Sequence, residues 1–158
     1  SMLHIQGCER YEISNYARPG YECRHNIGYW TGIEYLGLGL GASSYIQGFR
    51  FHNESDLSLY DKIQMTGSDA DEKLHQEITK LSDKEKMEES MFLGLRMIKG
   101  VSGSEFFQRF GQNMWNVYGN VLNKLKDEGL IIVDMPDVRL SDYGIDVSNY
   151  VLSEFLLD

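Results

Sequence analysis

A chain of 158 residues with 42% hydrophobic and 25% charged residues is typical of a soluble globular protein with one ordinary domain or two small ones. Its apolar runs fall far short of the roughly 18 residues of a membrane span, and its net charge of −9 disfavours binding to phosphate backbones. The two cysteines, Cys8 and Cys23, are too few for a disulfide framework, a zinc site or an iron–sulfur cluster. We therefore expect a cytoplasmic protein with no membrane span and no nucleic-acid partner.

The first 63 residues predict short strands and tight loops, and a polar stretch follows them. Tyr11–Ala17 predicts a strand that ends at the turn Arg18-Pro19-Gly20. Phe49–His52 predicts another strand, and Leu57–Ile63 predicts a helical turn. Residues 64–80 are polar and predict a linker with a helical end.

Three glycines stand at alternate positions within Glu34–Ile46, namely Gly37, Gly39 and Gly41. In a strand this spacing leaves one face bare, so that another group can approach the backbone closely. The segment lacks the following helix and the downstream acidic residue of the dinucleotide-binding fingerprint. A tight strand is therefore favoured over a phosphate-binding loop.

Helical periodicity dominates from Leu81 onward, where a capping box begins a helix that we predict to run to Gly100. A short helix from Ser104 to Gly111 follows, and Asn113 caps a third helix. Two apolar runs around a turn predict a hairpin, and a final helix comes after it: Leu130–Val133, Val138–Leu140, and Asp142 onward. The predicted class is α+β, with a winged-helix-like C-terminal domain.

The winged-helix pattern brings DNA binding into consideration, with the third helix as the reading element. A reading element needs basic flanks for the phosphates and suitable side chains for the base edges. The charges at the end of this helix sum to zero: Lys124, Lys126, Asp127 and Glu128. The hairpin adds two aspartates against one arginine. A domain that packs on a neighbouring domain is therefore favoured, and a non-catalytic winged-helix interaction module stays an alternative.

One short run combines residue types that suit a porphyrin. His25-Asn26 is followed, after two residues, by Tyr29-Trp30. An imidazole ligates haem iron, and aromatic rings pack against a porphyrin face. A histidine that only hydrogen-bonds in a polar loop explains the same residues, so chemistry alone leaves both interpretations open.

Several longer motifs occur in order along the chain. They are Glu12-Ile13-Ser14-Asn15-Tyr16-Ala17, the Pro19-Gly20 turn, Leu36-Gly37-Leu38-Gly39, and Leu93-Gly94-Leu95-Arg96 with Gly100. Together they resemble the C-terminal half of the oxygen-independent coproporphyrinogen III oxidase-like family, which is a radical S-adenosylmethionine (SAM) family. The resemblance implies that residues 1–63 form the end of a radical SAM barrel, residues 64–80 a linker, and residues 81–158 a winged-helix-like C-terminal domain.

The run His25-Asn26-x-x-Tyr29-Trp30 resembles the motif of the haem-chaperone branch of that family. This resemblance implies a protein that binds haem and transfers it to a haem-requiring acceptor. It implies His25 as an axial ligand of the haem iron, with Asn26, Tyr29 and Trp30 beside the haem. A fragment of a true coproporphyrinogen III dehydrogenase, active in porphyrin biosynthesis, is the alternative within the family.

The family resemblance also sets expectations about cofactors. It places Gly37, Gly39, Gly41 and Ala42 on a strand close to SAM. The family holds its 4Fe–4S cluster with a CxxxCxxC motif that two cysteines cannot form, so cluster and SAM are expected only in the parent protein. We assign no catalytic residue and expect this chain alone to lack dehydrogenase activity.

The expected partners follow from the same resemblance. They are the N-terminal radical SAM domain, haem or another tetrapyrrole, and a haem-accepting protein. Strands taken from a parallel barrel expose apolar faces and unpaired edges. A second copy of the chain, paired through such strands, is therefore a further expected partner.

Overall fold

The computed structural model describes residues 6–63 and 73–157. These residues form two compact units: residues 6–32 with 83–157, called the helical unit, and residues 33–63 with 73–82, called the sheet unit. In chain order the elements are β1 (Glu9–Arg10), β2 (Tyr16–Ala17), α1 (Arg24–Trp30), β3 (Ser43–Ile46), β4 (Phe49–Asn53), α2 (Leu57–Tyr60), β5 (His75–Lys80), α3 (Asp83–Gly94), α4 (Gly103–Phe110), α5 (Met114–Asp127), β6 (Ile131–Asp134), β7 (Asp137–Leu140), α6 (Asp142–Asp146) and α7 (Ser148–Ser153). This mixture of helices and strands confirms the predicted α+β class.

Helix α5 supplies the largest share of the core of the helical unit. Its buried side chains recur at helical spacing: Met114, Tyr118, Leu122 and Leu125. The Tyr118 ring meets Phe106 and Phe155 edge-on, with centroids 6.2 and 5.5 Å away. At the start of the helix, the Asn113 side chain accepts a hydrogen bond from the Trp115 N–H at 2.8 Å. The predicted cap of this helix is therefore confirmed.

The elements on either side of α5 also follow the prediction closely. Helix α4 ends at Gly111, whose φ of +66° is the left-handed geometry of a helix C-terminus. Strands β6 and β7 form the predicted antiparallel hairpin. The prediction of a single final helix is wrong, because Val147 leaves helical geometry (φ −112°, ψ 27°) and separates α6 from α7. The winged-helix arrangement and the domain boundaries stay predictions.

Helix α3 ends at Gly94, so the predicted continuation to Gly100 is wrong. The reason is pairing with a distant part of the chain. The N–H of Ile13 donates to the carbonyl of Arg96 at 2.9 Å, and the N–H of Ile98 donates to the carbonyl of Tyr11 at 3.1 Å. These hydrogen bonds hold the residues after α3 in turns beside the β1–β2 turn.

The same contacts explain why Tyr11–Ala17 does not form one strand. Its last two residues form β2, which pairs with β1 in an antiparallel hairpin. Between the two strands, the N–H of Tyr11 donates to the carbonyl of Asn15 at 3.2 Å, and Glu12 pairs with Met97 in an isolated bridge. The segment is therefore a turn that packs on the rest of the helical unit.

The sheet unit contains an antiparallel sheet with strand order β3-β4-β5. Gln47-Gly48 joins β3 to β4 with φ values of +51° and +78°, the signs of a type I′ hairpin turn. Strand β4 and helix α2 confirm the predicted strand at Phe49 and the helical turn at Leu57. Residues 75–80 form β5 rather than linker, because backbone pairing with β4 orders a strand whose side chains are mostly exposed. The rest of the predicted linker, residues 64–72, lies outside the described residues.

None of the helices within residues 6–63 and 73–157 has both the length and the apolar character needed to cross a membrane. Apolar side chains cluster instead in the core of the helical unit. Val151 and Phe155, which come from the last helix and the residues after it, are fully buried there. Ile13, from the N-terminal part of the chain, packs against the same core.

Tyr118 gives a prediction about the pH dependence of stability. Its ring is 1% exposed, and its hydroxyl has no hydrogen-bond partner among the described residues. Burial, with a smaller contribution from the charge of Glu88, raises the pKa of Tyr118 above its ordinary value. Because the folded-state pKa is the higher one, its contribution to stability is complete below about pH 10 and falls as the pH rises further.

We expect Tyr118→Phe to leave the free energy of unfolding at neutral pH unchanged or slightly higher, since it removes an unpaired buried hydroxyl. We also expect it to reduce the loss of stability between neutral pH and about pH 11. Urea unfolding at the two pH values measures both effects. Tyr143→Phe, at an exposed tyrosine, is the control and should keep the wild-type pH dependence. A marked loss of stability in Tyr118→Phe at neutral pH would contradict the assignment.

Candidate functional site

The predicted haem motif lies on helix α1. The helix ends where Thr31 Oγ1 donates to the carbonyl of Ile27 at 2.8 Å and Gly32 follows with a φ of +68°. A positive φ of this size interrupts a helix and favours glycine. The four predicted haem-site residues share one short helix and not a polar loop, and their role in haem binding stays a prediction: His25, Asn26, Tyr29 and Trp30.

His25 lies in the first turn of α1 with its side chain exposed. Its imidazole meets the Tyr29 ring edge-on, with centroids 4.8 Å apart and an interplanar angle of 81°. Residues four apart on a helix lie on the same face. Asn26 is half-buried at the neighbouring position. The helix thus presents an exposed imidazole beside a tyrosine ring. Such an imidazole can ligate the metal of a planar macrocycle.

Trp30 fixes the other end of α1 to the helical unit. The Arg96 guanidinium lies 4.3 Å from the centre of the Trp30 ring, within the range of a cation–π interaction. Nη2 of Arg96 lies 3.8 Å from Oε2 of Glu12, whose side chain is fully buried. Oε1 of Glu12 accepts the Ser14 N–H at 2.8 Å. We call Glu12, Arg96 and Trp30 the anchor cluster, because they connect α1 to the β1–β2 turn and to the segment after α3.

A second arginine lies at the C-terminal end of α1. A Cβ placed on Gly32 would lie 3.0 Å from Nη1 of Arg109, so the guanidinium occupies the space beside this glycine. The Arg109 side chain, which comes from α4, also lies 5.3 Å from the Phe110 ring centre. The partial negative charge of a helix C-terminus attracts a cation. Nothing in the sequence around Arg109 indicates this contact, which depends on the packing of α4 near α1.

The glycines assigned to a SAM-proximal strand lie in a loop of the sheet unit, and the prediction of a bare strand is wrong. Gly39 and Gly41 have φ values of +100° and +64°, which strand residues do not adopt. A Cβ on Gly37 would overlap the backbone at the start of β3, so the chain itself fills that space. The buried Asn53 amide donates to the carbonyl of Gly39 at 2.8 Å and holds the loop.

The structure therefore separates the predicted residues into two groups. The motif from His25 to Trp30 lies on one helix of the helical unit. Gly37, Gly39, Gly41 and Ala42 lie together in the sheet unit, where the Ala42 N–H donates to the carbonyl of Gly39 at 3.3 Å. The proximity of these glycines to SAM stays a prediction.

The cysteines of the chain do not fit an iron–sulfur cluster. Cys8 and Cys23 are its only cysteines, whereas a 4Fe–4S cluster is held by several thiolates. In the described part of the chain, no three His, Cys, Asp or Glu side chains are grouped in a way that could hold a metal ion. Haem requires fewer protein ligands, because a single histidine is sufficient to hold its iron. The exposed imidazole of His25 fits that requirement.

Comparison with known proteins gives consistent results. Residues 81–147 match the family model described as the HemN C-terminal domain. Heme chaperone HemW of Lactococcus lactis is 37% identical over 99% of this chain and 40% of the relative, and Heme chaperone HemW of Bacillus subtilis is 35% identical with the same coverage. The radical SAM enzyme coproporphyrinogen III oxidase (HemN) from Escherichia coli has a similar fold, with a TM-score of 0.71, 17% identity, and coverage of 98% of this chain and 38% of that chain.

The fold and the matched region define a protein of mixed helices and strands that contains a HemN-type C-terminal domain. The chain belongs to the oxygen-independent coproporphyrinogen III oxidase-like radical SAM family, and the two relatives described above are named HemW heme chaperones. The family predicted from the ordered motifs is thus confirmed. The chain spans about 40% of the length of the curated relatives it matches.

Proposed function

We propose that this chain binds haem through His25 and forms the haem-contacting part of a haem chaperone. The observation that carries the proposal is the exposed His25 imidazole, which is backed by Tyr29 on a helix fixed by the anchor cluster. Relatives 35% and 37% identical over nearly the whole chain are named heme chaperones. These names support haem handling over coproporphyrinogen oxidation, since the oxidase neighbour is similar in fold at 17% identity.

Each residue of the motif has a distinct role in this proposal. An imidazole nitrogen of His25, in the neutral form that metal ligation requires, would hold the iron. Tyr29 would pack beside the haem and limit rotation of the imidazole. Trp30 is held by Arg96 and would keep the helix in place while haem arrives and leaves. Asn26, half-buried on the same helix, would contact the haem edge. Haem would supply the iron that the His25 imidazole holds.

The proposal assigns the remaining cofactors to a longer protein. A 4Fe–4S cluster and SAM would be bound by an N-terminal radical SAM domain, because the two cysteines here cannot hold the cluster. The loop of Gly37, Gly39, Gly41 and Ala42 would lie near that SAM. Residues 81–158 would act as a winged-helix-like domain that packs on its neighbour, and a haem-requiring protein would be the acceptor.

An equilibrium haem titration of the 158-residue chain, followed by absorbance, tests the proposal. We expect His25→Ala to weaken haem binding by about tenfold or more, since an iron–imidazole bond worth more than about 1.4 kcal/mol is lost. His52→Ala is the matched control: this histidine is half-buried in the sheet unit, 3.8 Å from Glu77, and its loss should leave haem affinity within about twofold. Equal affinities of wild type and His25→Ala would refute the ligand assignment.

A further inference from the structure

The position of Arg109 relative to His25 follows from helix geometry. His25 and Tyr29 stand at positions i and i+4 and share one face of α1. Gly32 is the second residue past the end of α1. The Arg109 guanidinium fills the space where a Gly32 side chain would begin. At about 1.5 Å per residue, the end of α1 at Trp30, next to this guanidinium, lies about 7.5 Å along the axis from His25.

The charge of Arg109 is not neutralised by an ion pair within the part of the chain that the structure describes. The described salt bridges engage other cations, including Arg96 with Glu12 and Arg139 with Asp134. Glu105 stands one turn earlier on α4 and forms no ion pair with Arg109 among those contacts. Arg109 is therefore an exposed cation beside the motif helix in a protein with a net charge of −9.

We propose that Arg109 binds a carboxylate at the edge of the tetrapyrrole whose iron His25 holds, an inference that rests on the proposed haem function. Haem carries two propionate groups at its rim, several ångströms from the iron. A guanidinium matches a carboxylate through two parallel N–H···O hydrogen bonds. An acidic protein repels such a ligand, so a local cation beside the motif helix offsets the repulsion. Arg109 would thereby set the orientation of the haem as well as add affinity.

A simpler role for Arg109 makes a different prediction. A cation at a helix C-terminus stabilises the helix through its dipole, with no ligand involved. Loss of such a cation would loosen α1 and weaken every ligand of His25 to the same extent. Loss of a carboxylate-binding residue weakens only ligands that carry a carboxylate. A tetrapyrrole whose carboxylates are esterified therefore distinguishes the two roles.

The test compares haem with haem dimethyl ester, in the same detergent and at low salt, on the 158-residue chain. We expect Arg109→Gln to weaken haem binding about three- to fivefold, which is the effect of losing one exposed charge pair. The affinity for the diester should stay unchanged. Raising the salt concentration should shrink the difference between wild type and Arg109→Gln, since an exposed pair is screened. Arg139→Gln, which makes the same change in net charge on the β6–β7 hairpin, should leave both affinities at the wild-type values.

Other outcomes overturn the inference without affecting the haem proposal. An equal loss for haem and diester in Arg109→Gln would assign Arg109 to helix stabilisation. No loss for either ligand would remove Arg109 from the site. A carboxylate-dependent loss in Arg24→Gln, next to His25, but not in Arg109→Gln would place the carboxylate at the other end of α1. The haem proposal itself fails if His25→Ala leaves both affinities at their wild-type values.

Discussion

Gly100→Ala is expected to lower the free energy of unfolding by about 3 kcal/mol or more, because it combines backbone strain with a steric clash. Gly100 has a φ of +76°, in the left-handed region that disfavours residues with a Cβ. A Cβ at this position would also overlap the carbonyl oxygen of Val138. That carbonyl cannot easily move, since it accepts the Val101 N–H at 2.8 Å and the Val138 N–H donates back at 3.0 Å.

Gly129→Ala is the matched control for this prediction. Gly129 has a nearly equal φ of +72°, but no atom lies within 4 Å of the position of its Cβ. Its replacement therefore measures the backbone strain alone, about 1 to 2 kcal/mol. Chemical denaturation of the wild type and the two variants gives the comparison. Equal losses of unfolding free energy in the two variants would show that the close approach of β7 to Gly100 does not contribute to the destabilisation.

Glu12→Ala is expected to lower the free energy of unfolding by about 3 kcal/mol and to disturb helix α1, because it breaks a partly buried ion pair. The Glu12 carboxylate is fully buried, 3.8 Å from Nη2 of Arg96, and also accepts the Ser14 N–H. Alanine leaves Arg96 without its counter-charge beneath α1. The guanidinium should then move away from Trp30, whose ring it now contacts at 4.3 Å.

The effect on α1 is measurable by fluorescence. The chain has two tryptophans, so a Trp115→Phe background leaves Trp30 as the single emitter. We expect Glu12→Ala to shift the Trp30 emission to the red as the ring gains contact with water, and Glu105→Ala, at an exposed glutamate of α4, to leave it unchanged. An unaltered Trp30 spectrum in a folded Glu12→Ala variant would contradict the role of the anchor cluster.

The parts of the fold that depend on local chemistry were predictable from the sequence. Helix α5 has an Asn113 cap and an apolar face of four buried side chains, and both signals lie within the element itself. Helix α3 was predicted too long because hydrogen bonds with Tyr11 and Ile13, far away in the chain, hold the residues after Gly94. The glycine segment was predicted as a strand because alternation alone does not reveal positive φ values or the Asn53 hydrogen bonds that hold a loop.

The candidate site shows the same division. The haem motif was recognisable because its residues are close in sequence and resemble those of a known family. The structure places all of them on one helix, as expected for residues so close in sequence. The contacts of Arg96 with Trp30 and of Arg109 with Gly32 join residues more than 60 positions apart, and only tertiary packing brings them together. Supporting residues of this kind are therefore visible in the structure and not in the motif.

Ligation of haem iron by His25 is tested most directly by chemical rescue. The absorbance and resonance Raman spectra of ferric haem are recorded with wild type, with His25→Gly, and with His25→Gly plus free imidazole, against haem and imidazole without protein. We expect His25→Gly to lose the histidine-ligated spectrum and added imidazole to restore it, because free imidazole can ligate the iron in place of the missing side chain. A His25→Gly variant that keeps the wild-type spectrum would contradict the account.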